Sequence, residues 1–445
     1  MLILKNKLRQ LIQSRDVQVS VIGLGYVGLP LAVGFAEKGI NVIGLDNDSN
    51  RISSIFAAKG SIAGVNAERI ANVCTGDIPS LTLTTNYDAL LKADVVIICV
   101  PTPLKDDTVP DLSFVEAAAT EISKRLHDGM LIVLESTTYP GTTEELLLDL
   151  FKSSNPSRSP LVIGENYFLS FSPERIDPGR TDYTIANTPK VVGGVTADCT
   201  EITAELYRIL VEKVISVSSP KAAEMVKLLE NTYRSVNIGL ANEFALICDA
   251  LGVDVWEVIE AASTKPFGYT PFYPGPGLGG HCIPVDPQYL AWKMKQLNLD
   301  TKFINLAREI NQSMCQHVIT KTEQALNYDG KKLAGAKILV LGVAYKNDVA
   351  DIRESPGIRL IDRLMKSSAL VSYHDKYVPE ITLDERLVSS VELTPQLLSD
   401  SDCVVIATAH SYYPLDLIVG QSSILIDTRN ATSKYSGEHG NVIKL

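Results

Sequence analysis

The sequence predicts an α/β fold with two Rossmann-like, doubly wound domains, which are joined by a long central helix and a helical middle domain. A β-branched run, a glycine-rich turn and a helical pattern follow one another over residues 17–46, which is the order of a βαβ unit. Apolar residues then recur at helical spacing over residues 221–251. Strand-like and helix-like segments alternate again from Lys337 onward.

Length and composition set the class of protein. The 445 residues are enough for about three domains of roughly 150 residues each, and we predict domains over 1–215, 216–330 and 331–445. A hydrophobic content of 45% and a charged content of 21% are typical of a globular enzyme. The net charge of −11 argues against a nucleic-acid partner. No apolar run approaches the ~18 residues of a membrane span, so we expect a cytoplasmic protein without a membrane partner.

Cys282 is the cysteine whose surroundings are unusual. The seven cysteines form no CxxC or Cys/His cluster, so we predict neither a metal site nor a disulfide framework. Cys99 and Cys403 lie in apolar runs and are interpreted as buried small hydrophobes. Residues 273–287 are instead crowded with glycine and proline, which disfavour a helix or a central strand. We therefore expect a rigid loop around Cys282 and Asp286; the simpler alternative is a structural thiol.

The glycine-rich turn carries a dinucleotide-binding fingerprint. Three glycines follow a predicted strand and open a predicted helix, where backbone N–H groups can meet a pyrophosphate. Asp46 ends the next strand, where a carboxylate accepts the ribose hydroxyls of NAD and repels a 2′-phosphate. Arg51 would favour NADP, and a glycine turn without a ligand is the other alternative, but Asp46 favours NAD. The predicted cofactor contacts here are Gly23, Gly25, Tyr26, Val27, Gly28, Asp46 and Arg51.

Polar residues also follow later strands of the predicted sheet. Thr102, preceded by Pro101, and Thr137 lie in turns at the carboxyl ends of predicted parallel strands. Doubly wound sheets bind ligands at that edge, so both threonines are candidate contacts. Turn and cap chemistry is the alternative explanation for each. Glu174 follows the fifth strand and is expected at the same edge.

The long predicted helix carries a polar stripe. Lys227, Asn231 and Arg234 are spaced i, i+4 and i+7, so they share one face. Such a stripe is commonly solvated surface, but facing the cysteine loop it would line a substrate cleft. A thiolate nucleophile needs nearby cations or a helix terminus, and Lys227 is a candidate, whereas we expect His281 to point elsewhere. We expect this middle section to form a dimer, with further helices over residues 254–262 and 288–327.

In the last third of the chain, strand-like and helix-like segments alternate again. This part echoes the first unit but lacks GxGxxG, so we expect it to bind a nucleotide in a different way. Strands are predicted at residues 337–342, 369–373, 402–408 and 424–427.

Together these motifs resemble the UDP-glucose/GDP-mannose dehydrogenase family, and within it the branch that oxidises UDP-N-acetylhexosamines. The resemblance covers almost the whole chain. It rests on motifs at residues 23–30, 135–143, 172–175, 221–231, 277–284 and 351–356.

The resemblance implies a homodimer that oxidises the C6 hydroxyl of a UDP-sugar by four electrons, with two NAD⁺, for bacterial surface-polysaccharide synthesis. It implies a thiohemiacetal and then a thioester on Cys282. Lys227 would stabilise the alkoxide or oxyanion, with Asn231 beside it. Asp286 would handle protons or position water. Glu174 would assist thioester hydrolysis, and a hydroxyl at Thr137 would hold a water or the nicotinamide side.

The resemblance also implies contacts along the nucleotide. Lys346 and Arg353 match positions that contact substrate or cofactor phosphates, and Arg353 is assigned to the cofactor. Arg234 would reach a substrate in its own subunit or across the dimer. The implied substrate contacts are Glu174, Arg175, Lys227, Asn231, Arg234, Phe272, Tyr273, Gly279 and Lys346.

The cysteine segment bears on the sugar. It has the order Leu-Gly-Gly-His-Cys-Ile at residues 278–283, where the UDP-glucose branch typically has Phe-Gly-Gly-Ser-Cys-Phe. This difference favours an N-acetylated sugar, and we predict UDP-GlcNAc. UDP-GalNAc, UDP-ManNAc and UDP-glucose stay open, because no residue accounts for the configuration at C2 or C4.

Two other functions were weighed. A single-step 2- or 3-hydroxy acid dehydrogenase shares the N-terminal fold, but the length of the chain, Cys282 and the third domain argue against it. A non-catalytic NAD-binding protein is disfavoured because Lys227, Asn231, Cys282 and Asp286 are all present.

Overall fold

A computed structural model describes residues 2–57, 61–62, 64–75, 79–106, 108–153, 161–175, 182–435 and 440–445. The chain forms two compact units. The first comprises Met1–Glu230 and Trp292–Leu297, and the second comprises Asn231–Ala291 and Asn298–Leu445. Each unit contains a largely or wholly parallel sheet with helices, which confirms the predicted α/β fold class. The bounds of the three predicted domains stay a prediction.

An eight-stranded sheet forms the first unit, in the order β8-β7-β6-β5-β4-β1-β2-β3. Strands β1 to β6 are parallel, and β7 runs antiparallel to β6. Their order, 3-2-1-4-5-6, is that of dinucleotide-binding folds, whose ligand crevice lies at the carboxyl edge where the order reverses. The strands are Gln18–Ile22, Asn41–Leu45, Leu81–Thr84, Val95–Ile98, Leu131–Leu134, Phe168–Phe171, Lys190–Gly194 and Val214–Ser216.

Buried apolar clusters form on both faces of this sheet. Along β4, Val95 and Ile97 belong to one cluster, whereas Val96 and Ile98 belong to the other. Successive side chains of a strand point to opposite faces, so a strand covered on both sides is apolar throughout. The helices of this unit are α1 to α7, at Leu2–Ser14, Gly28–Glu37, Ser49–Ala57, Ala67–Cys74, Ser113–Ser123, Leu148–Ser153 and Ala197–Tyr207.

Helix α1 precedes the first predicted element and was not predicted from the sequence. Leu8 and Ile12, four residues apart, are buried in the same cluster as one face of the sheet. Lys5 lies 2.5 Å from both Asp198 and Glu201 on α7. Its segment is too short and too charged to stand out as an apolar run, but these contacts stabilise it as a helix.

The middle of the chain is helical. Helix α8 covers Pro220–Leu251, as predicted, and α9 covers Val255–Ser263. The single helix predicted over residues 288–327 is two helices, α10 at Cys282–Gln296 and α11 at Lys302–Tyr328. They are separated near Asn298, whose φ of 57° is left-handed, a conformation that asparagine tolerates. Among the described residues, no helix combines the length and hydrophobicity needed to cross a bilayer.

The expectation of a loop throughout residues 273–287 is wrong in its last part, because α10 begins at Cys282. The first four N–H groups of a helix have no partner within the helix, so Pro284 costs no hydrogen bond there. Pro287 lies further inside the helix and removes one donor. Cys282 is therefore the first residue of a helix.

A five-stranded parallel sheet forms the C-terminal part of the second unit, in the order β10-β9-β11-β12-β13. This confirms a second, smaller Rossmann-like fold. Its strands β9 to β13 are Lys337–Leu341, Leu370–His374, Cys403–Ile406, Leu425–Asp427 and Val442–Lys444, and its helices α12 to α14 are Pro356–Lys366, Pro395–Asp400 and Leu415–Gln421.

Short elements complete the described chain. Two-stranded hairpins pair Ser61–Ile62 with Val65–Asn66, Leu104–Lys105 with Val109–Pro110, and Glu380–Leu383 with Arg386–Ser389. Single turns of 3₁₀- or π-helix lie at Tyr87–Lys92, Thr143–Leu147 and Ser433–Tyr435.

Candidate active site

The turn between β1 and α2 is shaped by its glycines. Gly23 has a φ of 91°, and a Cβ there would lie 2.6 Å from the Cys99 carbonyl oxygen. A Cβ on Gly28 would lie 1.8 Å from the Gly23 carbonyl oxygen. At Gly25, by contrast, an added Cβ would have no described atom within 4 Å. The outer two glycines are thus required by packing, and the middle one leaves open space where a pyrophosphate can approach the backbone.

Asp46 and Arg51 both contact this turn through Leu24. The Leu24 N–H donates to Asp46 Oδ2 at 2.9 Å, and Arg51 Nη2 donates to the Leu24 carbonyl oxygen at 2.9 Å. Arg51 therefore braces the turn, whereas a 2′-phosphate contact would require it to leave Leu24. Asp46 directly follows β2, at the position where a ribose is recognised, so this edge fits NAD. Of the remaining residues assigned to the cofactor in this unit, Tyr26 and Pro101 are exposed, Val27 is half-buried and Thr102 is buried.

Thr137, in the turn after β5, meets helix α8. Lys227 Nζ donates to Thr137 Oγ1 at 2.6 Å. One turn earlier on α8, buried Glu224 accepts hydrogen bonds from the Gly141 N–H, from the Thr143 N–H at 3.0 Å and from Thr143 Oγ1 at 2.7 Å. Burial raises the pKa of Glu224, and these hydrogen bonds oppose that effect. Glu224 thus fastens the Thr137 turn to the helix of Lys227, a role that the sequence did not predict.

Glu174 and Arg175 follow β6 but have different surroundings. Lys190 Nζ lies 3.3 Å from Glu174 Oε2. Arg175 Nη2 lies 2.5 Å from Glu230, and Arg175 Nη1 donates to the Pro189 carbonyl oxygen at 2.7 Å. The Arg175 guanidinium, which the sequence analysis assigned to the substrate, is thus held by groups of its own unit.

In the second unit, Asn231 and Asp286 are in contact. Asn231 Nδ2 donates to Asp286 Oδ2 at 2.6 Å, and both residues are buried. Cys282 lies one turn before Asp286 on α10, so the two side chains share one face of that helix. Three of the predicted catalytic residues therefore come together around the N-terminus of α10.

The segment before α10 is anchored by two buried asparagines. The Gly275 N–H donates to Asn242 Oδ1 at 2.9 Å, and Asn242 Nδ2 donates to Asn311 Oδ1 at 2.8 Å. Asn311 Nδ2 in turn donates to the Ser235 carbonyl oxygen at 3.1 Å. Asn242 lies on α8 and Asn311 on α11, so both helices hold the segment. Neither asparagine was predicted from the sequence as a site residue.

Gly279 and Gly280 allow a second segment to approach this one. A Cβ on Gly279 would lie 2.7 Å from Tyr345 Cβ, and a Cβ on Gly280 would lie 2.8 Å from the Tyr345 ring. The Gly280 N–H donates to the Arg353 carbonyl oxygen at 2.9 Å. Lys346 follows Tyr345, and the Arg353 guanidinium pairs with Asp351 at 2.6 Å. The predicted contacts Gly279, Lys346 and Arg353 thus lie on two adjoining segments.

The remaining predicted substrate contacts lie around aromatic rings of the second unit. Tyr273 stacks on Trp256, with ring centroids 6.0 Å apart and planes at 16°. Phe272 packs edge-on to Tyr233, with centroids 5.6 Å apart. Arg234 is exposed on α8. Phe272 and Tyr273 therefore pack against aromatic rings of their own unit.

The turn after β9 parallels the glycine turn of the first unit but has a different partner. Gly342 has a φ of 88°, and Asp375 directly follows β10 as Asp46 follows β2. Asp375 Oδ2 accepts the Val343 N–H at 2.8 Å and also lies 3.0 Å from His410 Nε2. Burial tends to raise the pKa of Asp375, but His410 and the backbone donors outweigh it and lower the pKa. The Asp375 carboxylate is thus engaged by His410 as well as by the turn, whereas no histidine contact is found at Asp46 among the described residues.

Arg429 is a candidate ligand contact that the sequence analysis missed. It follows Asp427 at the carboxyl end of β12, and that position was the available signal. Its Nε donates to the Ala407 carbonyl oxygen at 3.0 Å, and a Cβ on Gly275 would lie 2.6 Å from its Nη1. Burial lowers the pKa of Arg429 to about 10, with Asp427 opposing the shift. Among the described residues no carboxylate forms an ion pair with this guanidinium, which makes it available to an anion.

Comparison with known proteins accounts for this arrangement. Residues 17–211 match the NAD binding domain of the UDP-glucose/GDP-mannose dehydrogenase family, residues 221–313 match its central domain, and residues 339–434 match its UDP binding domain. The chain belongs to this family. It is an NAD-dependent nucleotide-sugar dehydrogenase with a UDP binding domain, which confirms the predicted family, cofactor and class of oxidoreductase.

Relatives of this family member act on N-acetylated sugars according to their names. It is 36% identical over 425 residues to a UDP-N-acetyl-D-mannosamine dehydrogenase of Methanococcus maripaludis, covering 93% of this chain and 92% of that protein. It is 34% identical over 401 residues to a UDP-N-acetyl-D-glucosamine 6-dehydrogenase of Pseudomonas aeruginosa, covering 90% and 92%. A solved UDP-D-ManNAc dehydrogenase from Pyrococcus horikoshii has a TM-score of 0.84 at 34% identity, covering 96% and 98%. These names support the predicted UDP-N-acetylhexosamine branch.

Proposed function

We propose that this dehydrogenase oxidises the C6 hydroxyl of a UDP-N-acetylhexosamine to a carboxylate, with Cys282 as the covalent nucleophile. The observation that carries the proposal is the position of Cys282 at the N-terminus of α10, one turn before Asp286, which Asn231 contacts at 2.6 Å. A helix N-terminus favours an anion, so it favours the thiolate of Cys282. The nearby Asp286 carboxylate can then accept or donate a proton, and the Asn231 amide can donate a hydrogen bond to the oxygen of the bound sugar.

The proposed reaction balances as one alcohol, two NAD⁺ and one water giving one carboxylate, two NADH and three protons. The glycine turn and Asp46 would hold NAD⁺, which would supply the acceptor for the hydride that leaves C6 in each oxidation. The thiol of Cys282 adds to the aldehyde carbon, which gives a thiohemiacetal. Loss of the second hydride and of the hydroxyl proton leaves a thioester. Water then adds to the acyl carbon, the carbon–sulfur bond breaks, and the thiol is restored.

Lys227 and Asn231 are proposed to stabilise the oxygen at C6. They are one turn apart on α8 and so share a face of the helix. The oxygen carries negative charge as an alkoxide in the first oxidation and as an oxyanion when the thioester is attacked, and a cation with an amide donor stabilises both states. The Thr137 hydroxyl lies 2.6 Å from Lys227 Nζ. This location supports the proposal that Thr137 holds a water or contacts the nicotinamide side of the cofactor.

Asp286 and Glu174 are proposed to act on water and protons. Asp286 is buried and receives the Asn231 amide, an arrangement that orients its carboxylate. Glu174 is held by Lys190 and is proposed to assist thioester hydrolysis. Removing a proton from water as it attacks raises the rate of such a step by about 10²–10⁴-fold.

The UDP group is proposed to contact cations of the second unit. Arg429 is half-buried and has no ion-pair partner among the described side chains, which supports a contact with a phosphate. Lys346 and Arg353 are proposed to contact phosphates of the substrate or of the cofactor. Arg234 is exposed on α8, which supports a contact with substrate in its own subunit or across a dimer.

We propose a homodimer built on α8. Large apolar side chains are exposed along the helix at intervals of three, four and seven residues, which is one face. An exposed apolar stripe of this kind is typical of a protein interface. The residues are Tyr233, Leu240, Phe244, Ile247 and Leu251.

Two sugars are candidates. The cysteine segment favours an N-acetylated sugar, overall similarity favours UDP-GlcNAc among these, and the name of the Pseudomonas aeruginosa relative supports that choice. The Methanococcus maripaludis and Pyrococcus horikoshii relatives are named for the mannosamine epimer, which makes UDP-ManNAc the second candidate.

A substrate panel tests the proposal. We expect NADH formation with UDP-GlcNAc or UDP-ManNAc at a kcat/KM at least 10-fold above that with UDP-GalNAc or UDP-glucose. Acid quenching during turnover should trap an acyl adduct that peptide mapping assigns to Cys282. Equal rates on N-acetylated and plain sugars would contradict the substrate class, and turnover without any cysteine adduct would contradict the covalent route.

A further inference from the structure

A buried lysine joins two carboxylates at the edge of the first sheet. Glu135 follows the carboxyl end of β5, Glu174 follows that of β6, and Lys190 is the first residue of antiparallel β7. Because β7 runs against β6, its start lies at the same edge as their carboxyl ends. Lys190 Nζ lies 2.9 Å from Glu135 Oε2 and 3.3 Å from Glu174 Oε2.

Glu135 and Lys190 form the buried part of this cluster. Glu135 is 1% exposed and Lys190 is 6% exposed. Tyr207 on α7 donates its hydroxyl hydrogen to the other Glu135 oxygen, and Lys190 Nζ lies 5.0 Å above the Tyr207 ring. A buried ion pair whose members are also hydrogen-bonded is held in one geometry. Its outer member, Glu174, is therefore contacted by a cation that cannot move freely.

The electrostatics of the cluster follow from its charges. Burial alone would lower the pKa of Lys190, but Glu135 and Glu174 outweigh it and raise the pKa, so the amine stays protonated. Burial raises the pKa of Glu135 and of the Tyr207 hydroxyl. The thiol of Cys99, whose pKa burial also raises, is neutral beside them. With both carboxylates ionised, one cation and two anions leave a net charge of −1.

We propose that Lys190, compensated by Glu135, is a positioning residue for Glu174 in thioester hydrolysis. Paired with Glu174 alone, the ammonium would neutralise that carboxylate and weaken it as a proton acceptor. Because Glu135 makes the shorter contact and compensates the charge, Lys190 orients the Glu174 carboxylate while the cluster keeps one negative charge. The neighbouring Arg175 guanidinium is engaged by Glu230, so it does not neutralise Glu174 instead.

The proposal rests on the proposed covalent route and concerns its last step alone. In that step the oxygen of water bonds to the acyl carbon, the carbon–sulfur bond breaks, and the sulfur leaves as thiolate. A proton of the water passes to Glu174 and then to solvent. No electrons are transferred, so a fault at Lys190 leaves both oxidations intact and slows only the release of product.

The variant Lys190→Met tests this role. We expect two NADH per enzyme to form in a burst, followed by turnover about 100-fold slower than wild type, because a misplaced group costs up to about that much. Acid-quenched enzyme should carry the Cys282 adduct as its main form in the steady state, whereas KM for NAD⁺ stays unchanged. Lys190→Arg, which keeps the charge, should recover most of the hydrolysis rate.

Two further variants keep the test decisive if Lys190→Met does not fold. Lys190→Met combined with Glu135→Gln removes both buried charges and should still accumulate the adduct. Glu135→Gln alone leaves the cation uncompensated, so the acid limb of the hydrolysis pH profile should move to lower pH and the rate should fall. Lys5→Met, which removes a buried lysine paired with two carboxylates elsewhere in the unit, is the matched control and should accumulate no adduct.

The outcomes separate the two proposals. Normal hydrolysis without adduct in Lys190→Met, or in the double variant, overturns the role of Lys190 while the covalent route stands. A single NADH per sugar in the wild-type enzyme overturns the covalent route itself, before any variant is compared.

Discussion

At the scale of residues, the candidate site depends on buried carboxylates whose partners are mostly donors. Glu224 receives three donors from residues 141–143, Asp286 receives an amide, and Asp375 receives backbone N–H groups and an imidazole. Removing an acceptor from such a group leaves buried donors unsatisfied, which costs more than the bond itself contributed. Glu224 and Asp375 therefore each hold a turn in place, and Asp286 holds the Asn231 side chain.

Glu224→Gln should loosen the turn that carries Thr137. The amide nitrogen of glutamine cannot accept a hydrogen bond, so at least one donor from residues 141–143 loses its acceptor. We expect the apparent free energy of unfolding to fall by about 1–3 kcal/mol, with a lower kcat and an unchanged KM for NAD⁺. Urea denaturation and steady-state kinetics measure both. Glu144→Gln, next to the same turn but partly exposed, is the control, and equal stability of the two variants would contradict this role.

Asp375 should make the second Rossmann-like fold sensitive to acid. Its pKa is lowered in the folded state relative to about 3.9 in an unfolded chain. The stability it contributes is therefore complete above the unfolded value and is lost as the pH falls through the folded value. We expect Asp375→Asn to lower the melting temperature at pH 7 and to reduce the further drop between pH 5 and pH 3, about the window set by that titration. Exposed Asp384→Asn is the control and should behave as wild type at every pH.

At the scale of elements, regular patterns were predicted and isolated contacts were not. The sequence predicts α8 to within a residue, because its apolar spacing continues for nine turns without proline after its first position. It predicts β1, β2 and the turn between them. It does not predict the start of α10. The proline and glycine content of residues 273–287 predicts a loop, although the first turn of a helix tolerates proline.

The contacts that complete the site could not be predicted, because their partners are far apart in the sequence. Lys190 and Glu135 are 55 residues apart, Asn242 and Asn311 are 69 apart, and neither pair has a spacing that marks it. Arg429 follows a strand that was predicted, so attention to that strand end would have found it. Spacing within one helix, as for Lys227 and Asn231 on α8, is visible in the sequence.

Helix α1 offers a test of packing within one element. Leu8 is 2% exposed and Ile3 is 81% exposed on the same helix. We expect Leu8→Ala to lower the apparent free energy of unfolding by about 2–5 kcal/mol, because it leaves a cavity in the core. Ile3→Ala should change it by less than about 0.5 kcal/mol. Denaturant titration measures the free energy of unfolding of both variants. A similar decrease in both would contradict the burial of Leu8 against the first sheet.

The exposed face of α8 tests the proposed dimer. Phe244 is 45% exposed in the middle of that face. A buried glutamate at an apolar interface carries an uncompensated charge, so Phe244→Glu should convert the protein to monomers in sedimentation-velocity measurements. Leu387→Glu, at a residue 63% exposed on the separate two-stranded hairpin of Glu380–Leu383 and Arg386–Ser389, should leave the oligomeric state unchanged. A dimer that survives Phe244→Glu would contradict this interface.

At the scale of the whole molecule, the chain joins a unit that fits NAD to a unit that carries a cysteine and a UDP-binding fold. The glycine turn and Asp46 belong to the first, and Cys282 and Asp286 to the second. Helix α8 runs through both, with Lys227 and Asn231 one turn apart. Family membership follows from all three matched domains together. The proposed covalent route depends on the thiol of Cys282.

The most direct test of that claim is the number of NADH formed per uronate produced, measured for the wild-type enzyme and for Cys282→Ser with the preferred UDP-N-acetylhexosamine. We expect two NADH per uronate in the wild type. For Cys282→Ser we expect loss of uronate production with NAD⁺ binding retained. One NADH per sugar with free aldehyde in the wild type, or undiminished uronate production by Cys282→Ser, would contradict the covalent route.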